Sequence, residues 1–171
     1  MIHFFKQLYL NNILFYALIG IIFLFILAYL FPMLYNAVWY ILYLFIAFVG
    51  IDVLLLFATG KKVVGNRNMA EKLSNGDENE IKIALHNQYT FPVHLTIIDE
   101  IPFQFQQRNF EIKRKIKTQE KEDYNYYLKP NERGEYFFGN LNIYVASPLR
   151  LVSRRFTYNK NQMVPTYPSY M

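Results

Sequence analysis

Ile13-Leu-Phe-Tyr-Ala-Leu-Ile-Gly-Ile-Ile-Phe-Leu-Phe-Ile-Leu-Ala-Tyr-Leu-Phe31 contains no charged side chain, and a second apolar run from Ala37 to Ala58 follows after only Pro32-Met-Leu-Tyr-Asn36. At about 1.5 Å of rise per residue, each run forms a helix of roughly 28 Å or more, close to the hydrocarbon thickness of a bilayer. So short a linker makes the helices antiparallel and returns the chain to the side it started from. Everything after Lys61 is polar, strand-patterned and basic. The sequence therefore predicts a two-helix transmembrane hairpin over 1–60, a basic linker and first strand over 61–73, a β domain over 74–168 and a short tail over 169–171.

The charges set an orientation. Of the net charge of +5, nearly all lies behind the hairpin, where Lys61, Lys62 and Arg67 follow the second run. Lys6 precedes the first run, and the turn between the runs has no Lys or Arg. The positive-inside rule then predicts both termini and the β domain on the cytoplasmic side of a multi-pass membrane protein. The absence of cysteine excludes disulfides, thiol catalysis and zinc–thiolate sites, and fits a reducing compartment. The first run lacks a small-x-small cleavage site and meets a second run at once, so it reads as a retained anchor rather than a signal peptide.

Tyr9, Tyr16, Tyr29, Tyr35, Trp39, Tyr40 and Tyr43 cluster where an interfacial aromatic belt belongs. Asp52 is the one charge within a span. An intramembrane carboxylate is a functional-site suspect; alternatively it sits near the interface below Lys61 and Lys62. With those lysines and Arg67 it forms the set of candidate lipid or partner contacts.

Beyond the linker the apolar residues recur every second position, as strands require. Ile81, Ile83 and Leu85 lead into an Asn87–Pro92 turn, and Val93, Leu95 and Ile97 continue on a return strand. Phe110, Ile112 and Ile116, then Tyr124, Tyr126 and Leu128, repeat the pattern. Tyr136 and Phe138, then Leu141, Ile143 and Val145, form extended segments broken at Gly139-Asn140. Pro148 interrupts before a last extended stretch, Leu149 to Tyr158. Short strands at this spacing favour an antiparallel sandwich.

Chemistry is sparse. The histidines are His3, His86 and His94; the last two face each other across the expected hairpin, but a third metal ligand is missing there. Asp77-Glu-Asn-Glu80 lacks the donor spacing of a calcium loop. Asp99 and Glu100 are adjacent on a strand and point to opposite faces, which does not suit shared acid–base work. Lys113-Arg-Lys-Ile-Lys117, Arg150, Arg154 and Arg155 read as solvated strand faces first, anionic-lipid contacts second and nucleic-acid contacts last. No catalytic residue, cofactor site or metal site is assigned, and the chain is expected to be neither an enzyme nor a nucleic-acid binder.

The order of the local patterns carries a resemblance. Leu85-His-Asn87 leads to Asp99-Glu-Ile-Pro102, then to Leu128-Lys-Pro130, Arg133-Gly-Glu-Tyr-Phe-Phe-Gly139 and Ser147-Pro-Leu-Arg-Leu151, ending near Val164-Pro-Thr-Tyr-Pro168. This resembles the N-terminal part of the bacterial domain-of-unknown-function 58 family, encoded beside MoxR-type AAA+ ATPases. The family's larger C-terminal region, similar to a von Willebrand A domain, would begin where this chain stops at Met171. The chain is then expected to be a truncated product, a fragment or a stand-alone relative. The family positions fall on Asp99, Pro102, Arg133, Gly134, Tyr136, Phe138, Gly139, Ser147, Pro148 and Leu149. All read as fold-specifying: Gly134 and Gly139 for tight turns, Tyr136 and Phe138 as core rings, Pro148 as a strand end.

The expected fold is a transmembrane α-helical hairpin followed by an all-β, immunoglobulin-like antiparallel sandwich. The resemblance implies a scaffold or docking protein in the bacterial inner membrane, with the lipid bilayer, an AAA+ ATPase and other membrane proteins as partners. The alternative is a lipid- or envelope-sensing subunit that uses Asp52 and the basic faces.

Overall fold

Phe31 stands directly before Pro32, and a proline pushes the residue ahead of it out of the helical region. The first helix, α1 (Asn12–Leu30), ends there, with Phe31 at φ −125° and ψ 88°. One 3-10 turn, Pro32–Leu34, reverses the chain into α2 (Tyr35–Phe57). The computed structural model describes residues 6–107 and 110–168; His3 and the tail 169–171 lie outside the described residues. The chain forms two units. One takes in the residues up to Lys61 together with Ala146–Arg154, and the other takes in Lys62–Val145 and the residues from Arg155 onward.

In the helical unit, Leu14, Ile21 and Ala28 recur every seven residues and form the buried seam of α1, a spacing that keeps them on one face. The buried residues of α2 are Val38, Asp52 and Leu56. Phe25 of α1 meets Trp39 of α2 edge-on, with ring centroids 5.4 Å apart. Most other apolar side chains of both helices point outward. A short strand ahead of α1, β1 (Leu8–Leu10), pairs antiparallel with Val152–Arg154; the sequence carried no signal for it.

The β unit is a sandwich. One sheet runs β2 (Val63–Met69), β4 (Asn79–Asn87), β7 (Lys121–Leu128). Opposite it lie β10 (Val152–Tyr158), β9 (Leu141–Ala146), β5 (Val93–Asp99) and β6 (Glu111–Ile116), in that order. A third small sheet runs β3 (Leu73–Asn75), β11 (Gln162–Pro168), β8 (Gly134–Phe138). The period-2 pattern is obeyed closely: Ile81, Ile83 and Leu85 on β4 and Val93, Leu95 and Ile97 on β5 are almost wholly buried. Phe138, Leu141, Ile143 and Tyr89 complete the core. Each such side chain stabilises the fold by about 1.5–3 kcal/mol through removal from water.

Several expectations need correction. β4 and β5 do not form a hairpin: β4 pairs with β2 and β7, and β5 with β6. The Asn87–Pro92 stretch instead carries the chain from one sheet to the other. Buried Asn87 enforces this, because its side-chain amide donates to the carbonyls of Phe91 (3.1 Å) and Lys117 (2.8 Å) while its oxygen accepts from the Tyr89 N–H. His86 consequently lies opposite Val64 and Lys121, and His94 opposite Lys115, so the two imidazoles do not face each other. The β unit begins at β2 rather than at residue 74, because the whole of Val63–Met69 pairs with Ile81 to Asn87 of β4. Among the described residues, β3 also pairs parallel with β11.

Candidate functional site

Two carboxylates are buried, one in each unit, and the polar chemistry of the described chain gathers around them. In the β unit, alternation along β5 turns Asp99 inward and leaves Glu100 on the other side. Asp99 forms an ion pair with Arg67 of β2, and both side chains are fully buried. Tyr126 of β7 donates its hydroxyl to the other carboxylate oxygen at 2.6 Å. The Arg67 guanidinium also donates to the carbonyls of Gly139 (3.1 Å) and Asn159 (3.3 Å) and lies 4.9 Å from the centre of the Phe138 ring. Its Nε has no hydrogen-bond partner among the described residues. Burial pushes the Asp99 carboxyl above its ordinary range, outweighing the opposing pull of Arg67 and Tyr126. Burial and the neighbouring carboxylate also push the Tyr126 phenol well above its usual value.

Glu100, on the opposite side, fixes the place where the chain leaves β8 for β9. The Gly139 N–H donates to its backbone carbonyl at 2.8 Å, the Asn140 N–H to its side chain at 2.8 Å, and the Asn142 amide to its other oxygen at 2.7 Å. A Cβ on residue 139 would fall 2.7 Å from that of Glu100, so close approach is what requires glycine there. Gly134 has a different reason: φ is +143°, a backbone region that L side chains rarely adopt.

In the helical unit, Asp52 has no solvent exposure although it sits on α2 among apolar neighbours. Its carboxylate accepts the Ser147 hydroxyl and the backbone N–H groups of Leu151 (2.8 Å) and Val152 (2.9 Å). Asn11, just ahead of α1, holds the same segment from the other helix. Its N–H donates to the Leu151 carbonyl at 3.1 Å and its amide to the Arg150 carbonyl at 2.9 Å, while the Ser153 hydroxyl donates to its oxygen at 2.6 Å. Arg154 donates to the Leu56 carbonyl at 2.9 Å, near the C-terminal end of α2, and lies 4.8 Å from the centre of the Phe57 ring.

These placements redraw the expected sites. Arg67 is not a lipid or partner contact, because its charge is used inside the sandwich. Asp52 is not one either, because this chain's own Ser147–Val152 segment surrounds its carboxylate. Lys61 is half-buried and Lys62 exposed. Of the fold-specifying set, Asp99, Phe138 and Gly139 converge around Arg67, whereas Ser147 belongs with Asp52. Pro102 is buried at the start of a 3-10 turn (Phe103–Phe105), and Arg133, Pro148 and Leu149 are exposed. Tyr136 is buried, with its hydroxyl donating to the Glu132 carbonyl at 2.9 Å. From the sequence, Tyr126 reads only as part of a strand pattern, Asn87 only as part of a turn and Glu100 only as unsuited to shared acid–base work, and Asn11 is not singled out; a hydroxyl at an inward strand position, as at Tyr126, is the available signal.

Among the described residues no group of three His, Cys, Asp or Glu side chains converges as a metal site would require. The arrangement around Asp99 is closed to solvent, so its chemistry is structural: a charge pair and a hydroxyl that join the two layers. No protein-family model matches the chain, and no curated protein sequence matches it. Among solved structures, the chain is similar to the ASH / PapD-like domain of human CEP192 (PapD-like domain 7), at 12% identity and a TM-score of 0.47 over 64% of this chain and 88% of that one. It is also similar to a β-glucosidase from Listeria innocua solved with gluconolactone, at 10% identity and a TM-score of 0.30, over 63% of this chain but 16% of the enzyme.

Proposed function

We propose that the chain is a non-catalytic scaffold or docking protein, anchored by its helical hairpin in the bacterial cytoplasmic membrane with both termini and the β domain facing the cytoplasm. The observation that carries this reading is the outward face of the helices. Only 17% of the most apolar window of the first helix and 11% of that of the second are buried within the protein. A core helix of a water-soluble protein buries its apolar side chains; here Phe23, Ile26, Leu44 and Leu54 stand open. A contiguous apolar surface of this size needs lipid or protein against it. With Arg67 paired inside the sandwich, the orientation rests on Lys6, Lys61 and Lys62 against a turn without basic residues.

The docking role, and a MoxR-type AAA+ ATPase as partner, rest on the resemblance of the Arg133–Gly139 and Ser147–Leu151 stretches to the domain-of-unknown-function 58 family. The alternative, a lipid- or envelope-sensing subunit that uses Asp52 and the basic faces, loses the Asp52 part of its support, because that carboxylate is already engaged by Ser147, Leu151 and Val152. The test is purification of the full chain from bacterial membranes in mild detergent, followed by identification of what comes with it. Co-purification of an AAA+ ATPase supports the docking role. Its absence, or a transporter in its place, sinks that role and leaves the anchor standing.

A further inference from the structure

We propose that the Pro148-Leu149-Arg150 tip is a lipid-contact element that Asp52 and Asn11 hold at the surface of the bilayer. This rests on the reading of the hairpin as membrane-spanning. Leu151 shows the level at which the tip is held: its N–H donates to Asp52 of α2 and its carbonyl accepts from Asn11, just ahead of α1. The charge-free run of α1 starts only two residues later, at Ile13, so Asn11 marks the edge of the hydrocarbon. On α2, Asp52 lies five residues before the helix end, which is roughly 7–8 Å below it. The segment is therefore fastened to both helices where the apolar spans begin, not above them.

The tip keeps its own shape. Ser147, which donates to Asp52, also accepts the Leu149 N–H at 3.0 Å, and the Arg150 N–H donates to the Ser147 carbonyl at 3.2 Å. Arg150 takes a positive φ of 56°, which completes a tight turn. The three tip residues are exposed, with Leu149 at 37%. A proline and a leucine beside a guanidinium at this depth match the boundary between acyl chains and phosphates, where apolar groups sink and cations meet anionic headgroups. The chemistry that recognises the tip is that of a phospholipid surface.

The chain has no cysteine, so single reporters can be placed without a background thiol. Leu149→Cys, Ile22→Cys and Thr118→Cys, each in the full chain, are labelled with a polarity-sensitive fluorophore. The proteins are then reconstituted in vesicles of mixed phosphatidylcholine and phosphatidylglycerol carrying spin-labelled lipids. Ile22 lies midway along α1, and Thr118 is exposed in the turn between β6 and β7. The expected result is quenching at 149 by shallow spin labels, quenching at 22 by deep labels, and none at 118. Asp52→Asn should weaken the quenching at 149 and leave that at 22 unchanged. Quenching at 22 with 149 as unquenched as 118 overturns the lipid contact alone. No quenching at 22 overturns the membrane reading beneath it. Unchanged quenching at 149 in the Asp52→Asn chain removes Asp52 from the mechanism.

Discussion

Arg67 shows how one side chain can change its meaning between sequence and structure. Next to Lys61 and Lys62 it reads as another interfacial cation, yet strand alternation along β2 turns it inward, where Asp99 waits on the facing sheet. A buried pair of this kind is weak evidence of stability in itself, but removing one partner leaves a charge stranded. Arg67→Met should therefore cost about 3–5 kcal/mol at neutral pH, measured by unfolding the detergent-solubilised chain. Burial already raises the Asp99 carboxyl, and loss of the guanidinium raises it further. The folded variant then holds that proton more tightly than the unfolded chain, so its stability is fullest below the ordinary carboxylate range and falls as pH rises through the raised value. The Arg67→Met cost should shrink in acid accordingly. Arg67→Met with Asp99→Leu should recover most of the loss, since an apolar pair of similar volume replaces the ionic one without desolvating a charge. A double variant as unstable as the single one would mean that the pair specifies the fold rather than filling it.

Elements were legible to the extent that they depend on local pattern. The period-2 runs on β4, β5 and β9 are strands, and the long apolar runs are helices, because side-chain periodicity follows directly from backbone geometry. Pairing is a different matter. Asn87-Gln-Tyr-Thr-Phe-Pro92 has a hairpin's length and turn residues, and nothing in its composition says that Tyr89 will be buried with the Asn87 amide bonded to Lys117 on another strand. The same limit hid Ser147: its partner Asp52 lies 95 positions away, on an element of a different kind. If Asn87 directs the crossover, Asn87→Ala should cost about 1–3 kcal/mol, because the carbonyls of Phe91 and Lys117 lose their donor inside the protein. Gly139→Ala should cost a similar 1–3 kcal/mol by forcing Glu100 away from the Asn140 and Asn142 bonds. Gly76→Ala offers a comparison: an added Cβ meets nothing there, and only the positive φ of 84° resists it. Thermal unfolding of the three variants separates crowding from backbone strain. A Gly139→Ala chain no less stable than Gly76→Ala would remove the close-approach argument.

For the whole molecule, the proposed membrane orientation rests on few charges. Lys6, Lys61 and Lys62 lie on one side of the apolar runs, while the Pro32–Asn36 turn has no basic residue. Lys and Arg resist transfer across the membrane, so the turn should be the part that crosses to the outside. Met33, at the apex and 96% exposed, and Thr118 in the β domain give a matched pair of positions for testing this. In bacterial spheroplasts expressing Met33→Cys or Thr118→Cys, a membrane-impermeant maleimide should label position 33 at once and position 118 only after lysis. Labelling of 118 in intact spheroplasts, with 33 protected, would reverse the topology and place the β domain outside the cytoplasm. Labelling of both before lysis would mean that the helices do not span. In that case a second protein surface, not lipid, would have to cover Phe23, Ile26, Leu44 and Leu54, and the chain would be expected to form a stable oligomer in the absence of detergent.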